Sequence, residues 1–206
     1  MAYFPILLDF QDMPCLVAGG GHLGAHKARL LLENGAAVTV VAPEVCPEME
    51  ALPVTLRRRA VTAEDTRGMA LVVDATGDAA AERMLSEACR AGHIPFNSAC
   101  RVDDGSAIFP AVHRQGRTVL AVSSLGASPL ASVRLRDRLA ASLPARLDDI
   151  LDAMAALRPR ARGAFDLQPR RREFLRQSLD EMLALDRPLS EAETEAMIQR
   201  IKETEE

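Results

Sequence analysis

The chain has 206 residues, 48% of them hydrophobic and 26% charged, enough to bury one full core and a smaller appendage. Its formal net charge of −4 and its 3% aromatic content argue against a nucleic-acid binder, which needs a basic surface and stacking rings. No apolar run approaches the roughly 20 residues of a membrane span, and the opening Met1-Ala2-Tyr3-Phe4-Pro5 has neither the charged nor the apolar part of a secretory signal, so a cytoplasmic location is expected.

Residues 15–110 alternate short apolar runs with helical patterns, the rhythm of βαβ units and a parallel sheet. Cys15 to Ala18 reads as a buried strand and Ala25 to Glu33 as a helix with Ala28, Leu31 and Leu32 on one face, stopped by Asn34-Gly35. Val38 to Val41 is a second strand, Val54 to Arg58 a third, and Leu71 to Ala75 a stronger fourth. Ala79 to Ala91 predicts a helix ending at Gly92, and Ile94 to Phe96 a further strand. Beyond Pro110 the pattern gives one last strand, Thr118 to Val122, then a helix opened by Ser128-Pro129 and running to about Leu143. From Pro144 on the chain is helical, with breaks expected near Pro159, Gly163 and Pro169 and a charged stretch, Ser190 to Glu206, expected to fray.

The strongest motif is Gly19-Gly20-Gly21-His22-Leu23-Gly24, GxGxxG at positions 19, 21 and 24. It gains meaning from following a predicted strand and opening a predicted helix. There Gly19 serves a tight turn, Gly21 lets a pyrophosphate approach the backbone, and Gly24 permits close helix–strand packing. The usual ribose-binding acid should stand at the end of the second strand, where the chain reads Ala42-Pro43-Glu44. Glu44 is slightly late, and no arginine lies in that segment, which favours NAD over NADP. The four cysteines Cys15, Cys46, Cys89 and Cys100 form no CxxC pair and no zinc-spaced cluster, so free thiols and no bound metal are expected. His22, His26, His93 and His113 read as exposed or structural.

Several further segments carry a resemblance. They are Phe4-Pro5-Ile6, Lys27-Ala28-Arg29-Leu30-Leu31-Leu32-Glu33, Ala75-Thr76, Phe96-Asn97, Ile108-Phe109-Pro110-Ala111, the run from Ala121 to Pro129 (AVSSLGASP) and Arg170-Arg171-Arg172 before Phe174. In order along nearly the whole chain, they resemble the N-terminal module of sirohaem synthases, the precorrin-2 dehydrogenase family. That resemblance implies an α/β Rossmann domain over residues 1–112, a dimerisation segment over 113–146 and a helical C-terminal domain over 147–206, paired as a homodimer. It also implies NAD-dependent oxidation of precorrin-2 to sirohydrochlorin. Carried over residue by residue, Gly19, Gly20, Gly21, His22, Leu23 and Gly24 would hold the pyrophosphate and Pro43 and Glu44 would border the adenosine ribose. Thr76, Gly77 and Asn97 would touch the cofactor, and Ser123, Ser124 and Arg134 the tetrapyrrole. Read without the resemblance, Ser123 and Ser124 are turn residues ahead of a helix.

One departure matters. Bifunctional relatives carry an aspartate three residues after the equivalent of Asn97, as general base and metal contact; here that position is Cys100. A thiol with an ordinary pKa of about 8.5 is a poor replacement at neutral pH, which leaves Asp103 and Asp104 as further candidate bases and argues against iron insertion. Arg134, Arg136, Arg138, Arg158, Arg160, Arg162 and Arg170 to Arg172 suit a substrate rimmed with carboxylates. The plain alternative is a set of solvated helix faces paired with Asp148, Asp149 and Glu173. Two other functions fit the motifs in part: a bifunctional dehydrogenase–ferrochelatase, and a non-catalytic NAD-sensing module.

Overall fold

The computed structural model describes residues 3–99 and 105–203. They form two compact units, one comprising residues up to Phe109 together with Leu125–Ala127, the other comprising Pro110–Ser124 and the chain from Ser128 onward.

The first unit is a five-stranded sheet built from β1 (Pro14–Ala18), β2 (Ala37–Val41), β3 (Thr55–Arg57), β4 (Leu71–Asp74) and β5 (Phe96–Ser98). All pairings are parallel, in the order β3-β2-β1-β4-β5. Alternation of side chains along the strands divides its apolar residues between two faces. On one face Cys15, Val17, Val38, Val40 and Val73 pack on Ala25, Ala28 and Leu31 of α1 (His22–Leu32). On the other Leu16, Ala18, Val41, Val72 and Phe96 pack on Leu85 and Cys89 of α3 (Ala79–Ala91). Between β2 and β3 lies a single turn of helix, α2 (Pro47–Glu50), which anchors on the fully buried Met49. This doubly wound sheet is the Rossmann arrangement the sequence predicts. The ends differ in detail: α1 begins three residues earlier than expected, at the glycine loop itself, and β5 lies two residues later, so that Asn97 sits inside it.

The second unit begins with a hairpin rather than a lone strand. β6 (Ala111–Gln115) pairs antiparallel with β7 (Thr118–Val122) across Gly116-Arg117, with Gly116 at φ +53°. A Cβ on Gly116 would fall on the Asp148 carboxylate, and the positive φ suits glycine, so the tip closes tightly on that side chain. Arg117 adds a bond from its guanidinium to Asp152 at 2.7 Å. α4 (Pro129–Ala140) packs on both strands, capped by Ser128 with Pro129 at its first position. Three further helices, α5 (Leu147–Ala164), α6 (Gln168–Leu185) and α7 (Glu191–Glu203), enclose Ile150, Leu157, Phe174, Met182, Met197 and Ile201.

Two expectations are corrected here. α5 runs through Pro159, because the buried Leu157 and Ala161 that flank it hold the helix in the bundle, and it ends at Ala164, beside Gly163, where a break was expected. As far as Glu203 the charged tail is an ordered helix, with Thr194, Met197, Ile198 and Ile201 burying one face of α7; residues 204–206 lie outside the described residues. Ser190 and Glu193 also cap each other's backbone N–H groups, at 3.3 and 2.7 Å.

Candidate functional site

Outside the carboxyl ends of β1 and β4 the chain order reverses direction across the sheet, and open parallel sheets take their ligands at that point. The glycine loop forms one wall. Gly19 has φ +109°, and a Cβ there would lie 2.4 Å from the Ala75 carbonyl oxygen, so this turn accepts no side chain. Gly24 is equally closed, with its would-be Cβ 2.3 Å from the Gly19 carbonyl oxygen. Gly21 is the opposite: nothing lies within 4 Å of where its Cβ would be. Thus two glycines serve packing and the third leaves open space in front of the α1 N-terminus. That terminus has no side-chain cap and no acid in its first turn, so the N–H groups of His22, Leu23 and Gly24 have no intrahelical acceptor and suit an anion. Gly20, counted with the cofactor loop in the sequence, packs against the Glu44 carbonyl, and its own carbonyl accepts from the Cys46 N–H at 2.8 Å. These contacts fix the loop after β2 against the glycine loop, with Pro43 and Glu44 exposed beside it.

The opposite wall follows β4. Asp74, buried at the strand end, accepts from Thr76 Oγ1 at 2.7 Å and from the Thr76 N–H at 3.1 Å. Burial pushes the Asp74 carboxyl above its ordinary range, against the pull of those bonds. Gly77 has φ +71° and open space beside it, and Asp78 then caps α3. Behind this wall the buried Ser98 hydroxyl donates to Glu82 of α3 at 2.5 Å. Asn97 donates from Nδ2 to the Ala107 carbonyl at 2.9 Å, whereas its buried Oδ1 has no partner among the described residues. An unsatisfied buried acceptor costs about 1–3 kcal/mol, and a carboxamide N–H such as that of nicotinamide would satisfy it. The open cradle at Gly21 and the orphan acceptor at Asn97 both fit a bound dinucleotide.

Other residues singled out from the sequence fall elsewhere. Cys100, Asp103 and Asp104 lie outside the described residues. Ser124 shows the turn chemistry: its hydroxyl donates to the Ser128 carbonyl at 2.9 Å and accepts from the Ser128 N–H and the Ser132 hydroxyl. Ser123 is exposed. The arginines are not paired as the plain alternative had it. Arg117 takes Asp148 and Asp152, Arg146 takes Asp149, and Arg176 takes Glu173. Arg134, Arg138, Arg158, Arg162 and Arg172 have no acidic partner among the described residues, although Arg160 pairs with Glu191. His22, Cys46 and Glu48 form one cluster that could hold a metal ion, His22 Nδ1 lying 3.3 Å from Glu48, but its histidine is largely exposed. The sequence reading also missed Arg57, Arg58 and Arg59, which β3 brings next to the end of β2.

A family model described as "Putative NAD(P)-binding" matches residues 6–111. The chain belongs to this NAD(P)-binding family. The match covers the whole sheet of the first unit and ends where the hairpin begins. Over 184 residues the chain is 36% identical to the siroheme synthase of Methylococcus capsulatus, covering 87% of this chain and 39% of that protein. It is 38% identical to the siroheme synthase of Thiobacillus denitrificans, covering 96% and 43%. The chain therefore spans about two fifths of the length of these curated relatives. Among solved structures it is similar to SirC, precorrin-2 dehydrogenase, with a TM-score of 0.67 and 26% identity over 98% of this chain and 100% of that one. No helix among the described residues is long and apolar enough to cross a membrane.

Proposed function

We propose that the protein oxidises precorrin-2 to sirohydrochlorin with NAD as hydride acceptor, as a cytoplasmic homodimer. The observation that carries the substrate is the end-to-end likeness to SirC, which extends through both units, beyond the nucleotide-binding part alone. The NAD reading stands on the open Gly21 cradle and the orphan Asn97 acceptor.

In the reaction the substrate gives up a hydride and a proton. NAD, when bound, supplies the hydride-accepting ring. The first-turn N–H groups of α1 hold its pyrophosphate, Pro43 and Glu44 border its ribose, and Thr76, Gly77 and Asn97 orient its far end. With the reacting carbons positioned this way, little further chemistry is asked of the chain. Arg134 and the other guanidiniums without acidic partners supply counter-charges for the acetate and propionate rim of the tetrapyrrole, with Ser123 and Ser124 in the turn that precedes the helix carrying Arg134. The proton passes to Cys100, Asp103, Asp104 or water. Because a thiol replaces the carboxylate that relatives use for metal, iron insertion should be weak.

What supports pairing through residues 113–146 is α4, which buries only Ser132 while Leu130, Val133, Leu135 and Leu139 face solvent. Light scattering should give twice the 22.3 kDa of one chain, and a monomer at micromolar concentration would remove the dimer.

The decisive test supplies enzymatically made precorrin-2 and NAD, with and without ferrous iron, and follows NADH and sirohydrochlorin by absorbance. The expected result is dehydrogenation with little metallation, slowed about 10²–10⁴-fold in whichever of Cys100→Ala, Asp103→Asn or Asp104→Asn removes the base. NAD binding without turnover would overturn the enzymatic reading. Efficient iron insertion lost in Cys100→Ala would show that the thiol holds the metal.

A further inference from the structure

The pairing of β2 with β3 brings the run Arg57, Arg58 and Arg59 to the end of β2, where the segment proposed to border the adenosine ribose begins. Val41 is in register with Arg57, and the Ala42 N–H donates to the Arg57 carbonyl at 3.2 Å. In a dinucleotide site this is where an arginine would accept the 2′-phosphate that distinguishes NADP from NAD. Two of the three are committed internally. Arg57 and Arg59 both bond the Asp65 side chain, which is 3% exposed; Arg59 does so through two nitrogens, at 2.7 and 2.5 Å. Asp65 is held further by the Thr62 N–H and hydroxyl.

Arg58 is different. Its partner is Glu50, the last residue of α2, at 2.5 Å, and both side chains are about half exposed. Arg58 and Glu50 thus meet across the two ends of the segment that runs from the close of β2 through Pro43 and Glu44 into α2. We propose that the Arg58–Glu50 pair sets the preference of this site for NAD over NADP, an inference that rests on the crevice being the dinucleotide site. Glu50 occupies the one guanidinium at this edge that no buried acid holds. Glu44 and Glu48 on the same stretch are exposed as well and add negative charge to it. A doubly charged 2′-phosphate must displace Glu50 from Arg58 and then sit beside it, whereas a ribose hydroxyl carries no charge to repel. The pair is solvated, so the discrimination is moderate and is screened by salt.

The test is calorimetric titration of the full chain with NAD and with NADP at low ionic strength. Glu50→Gln should raise NADP affinity relative to NAD by roughly three- to fivefold, the upper end of what an exposed ion pair is worth. Arg58→Ala should bring no such gain, and Glu50→Gln/Arg58→Ala should lose it. Asp149→Asn, which frees Arg146 from a comparably exposed pair in the second unit, should leave the ratio where it was. A ratio in Glu50→Gln within about twofold of wild type, or a gain that survives in the double variant, would overturn the discriminator while NAD still binds. Failure of the wild-type chain to bind either dinucleotide would instead overturn the assignment of the crevice itself.

Discussion

The two units handle apolar surface differently. The first covers both faces of its sheet, α1 on one side and α3 on the other, and leaves β1 and β4 wholly buried except for Pro14. The second closes a bundle around Phe174 but leaves α4 with one buried residue, a serine, and four exposed aliphatic side chains. A sheet wound on both faces is complete within one chain. A helix lying on a two-stranded hairpin has an outer side that only another surface can cover. The proposed functional surfaces follow a similar division, with rigid backbone at the glycine loop in the first unit and the apolar helix α4 in the second.

The comparison can be broken most severely at the bundle. Phe174 is fully buried, its ring 5.7 Å from that of Phe165. Phe174→Ala should cost about 3–5 kcal/mol in urea unfolding, and NAD titration of the same variant should still report binding if the first unit stands without a perfect bundle. A smaller change isolates the glycine loop. Gly21→Asp puts a carboxylate into open space beside the α1 N-terminus, so the fold should survive by circular dichroism while NAD affinity falls by about 100-fold or more. Unchanged affinity would remove the loop from the site.

Smaller still is the contribution of Asp65. Hydrogen bonds from Arg59, with help from Thr62, hold its carboxyl well below the ordinary range. A depressed carboxyl stabilises the fold fully above its unfolded pKa of about 4, and that stabilisation is lost as pH falls toward the folded value. Asp65→Asn should therefore cost about 2–3 kcal/mol at pH 7 and flatten the stability profile below pH 4. An acid limb as steep as that of wild type would count against it. The least effect is expected at Ser124, whose hydroxyl closes the turn before α4. Ser124→Ala should cost about 1 kcal/mol in the same assay.

Much of the first unit was legible in the sequence because its signals are local. Helix α3 runs from Ala79 to Ala91 as expected, bounded by Asp78 and Gly92, and the glycine loop announced itself by composition. β6 was missed because Ala111–Gln115 is short and half polar, and becomes a strand only through its partner β7. The tail α7 was misjudged for a related reason: Met197, Ile198 and Ile201 are sparse in sequence yet share one face against α5 and α6. Arg57 to Arg59 escaped notice because their approach to the end of β2 depends on strand register, which no local pattern encodes. Asn97 stood out in the sequence at the end of a strand, but its unsatisfied oxygen did not, since that depends on where Ala107 folds back.

Cys15 and Cys89 lie on opposite faces of the same sheet, and burial pushes each thiol up to about 11. At pH 7 only about one molecule in 10⁴ carries a thiolate at either position, and neither sulfur can be reached while the sheet is closed. In a Cys46→Ser/Cys100→Ser background these two groups become internal clocks. The rate at which a maleimide modifies them measures how often the sheet opens, and a difference between the two rates tells which helix lifts first.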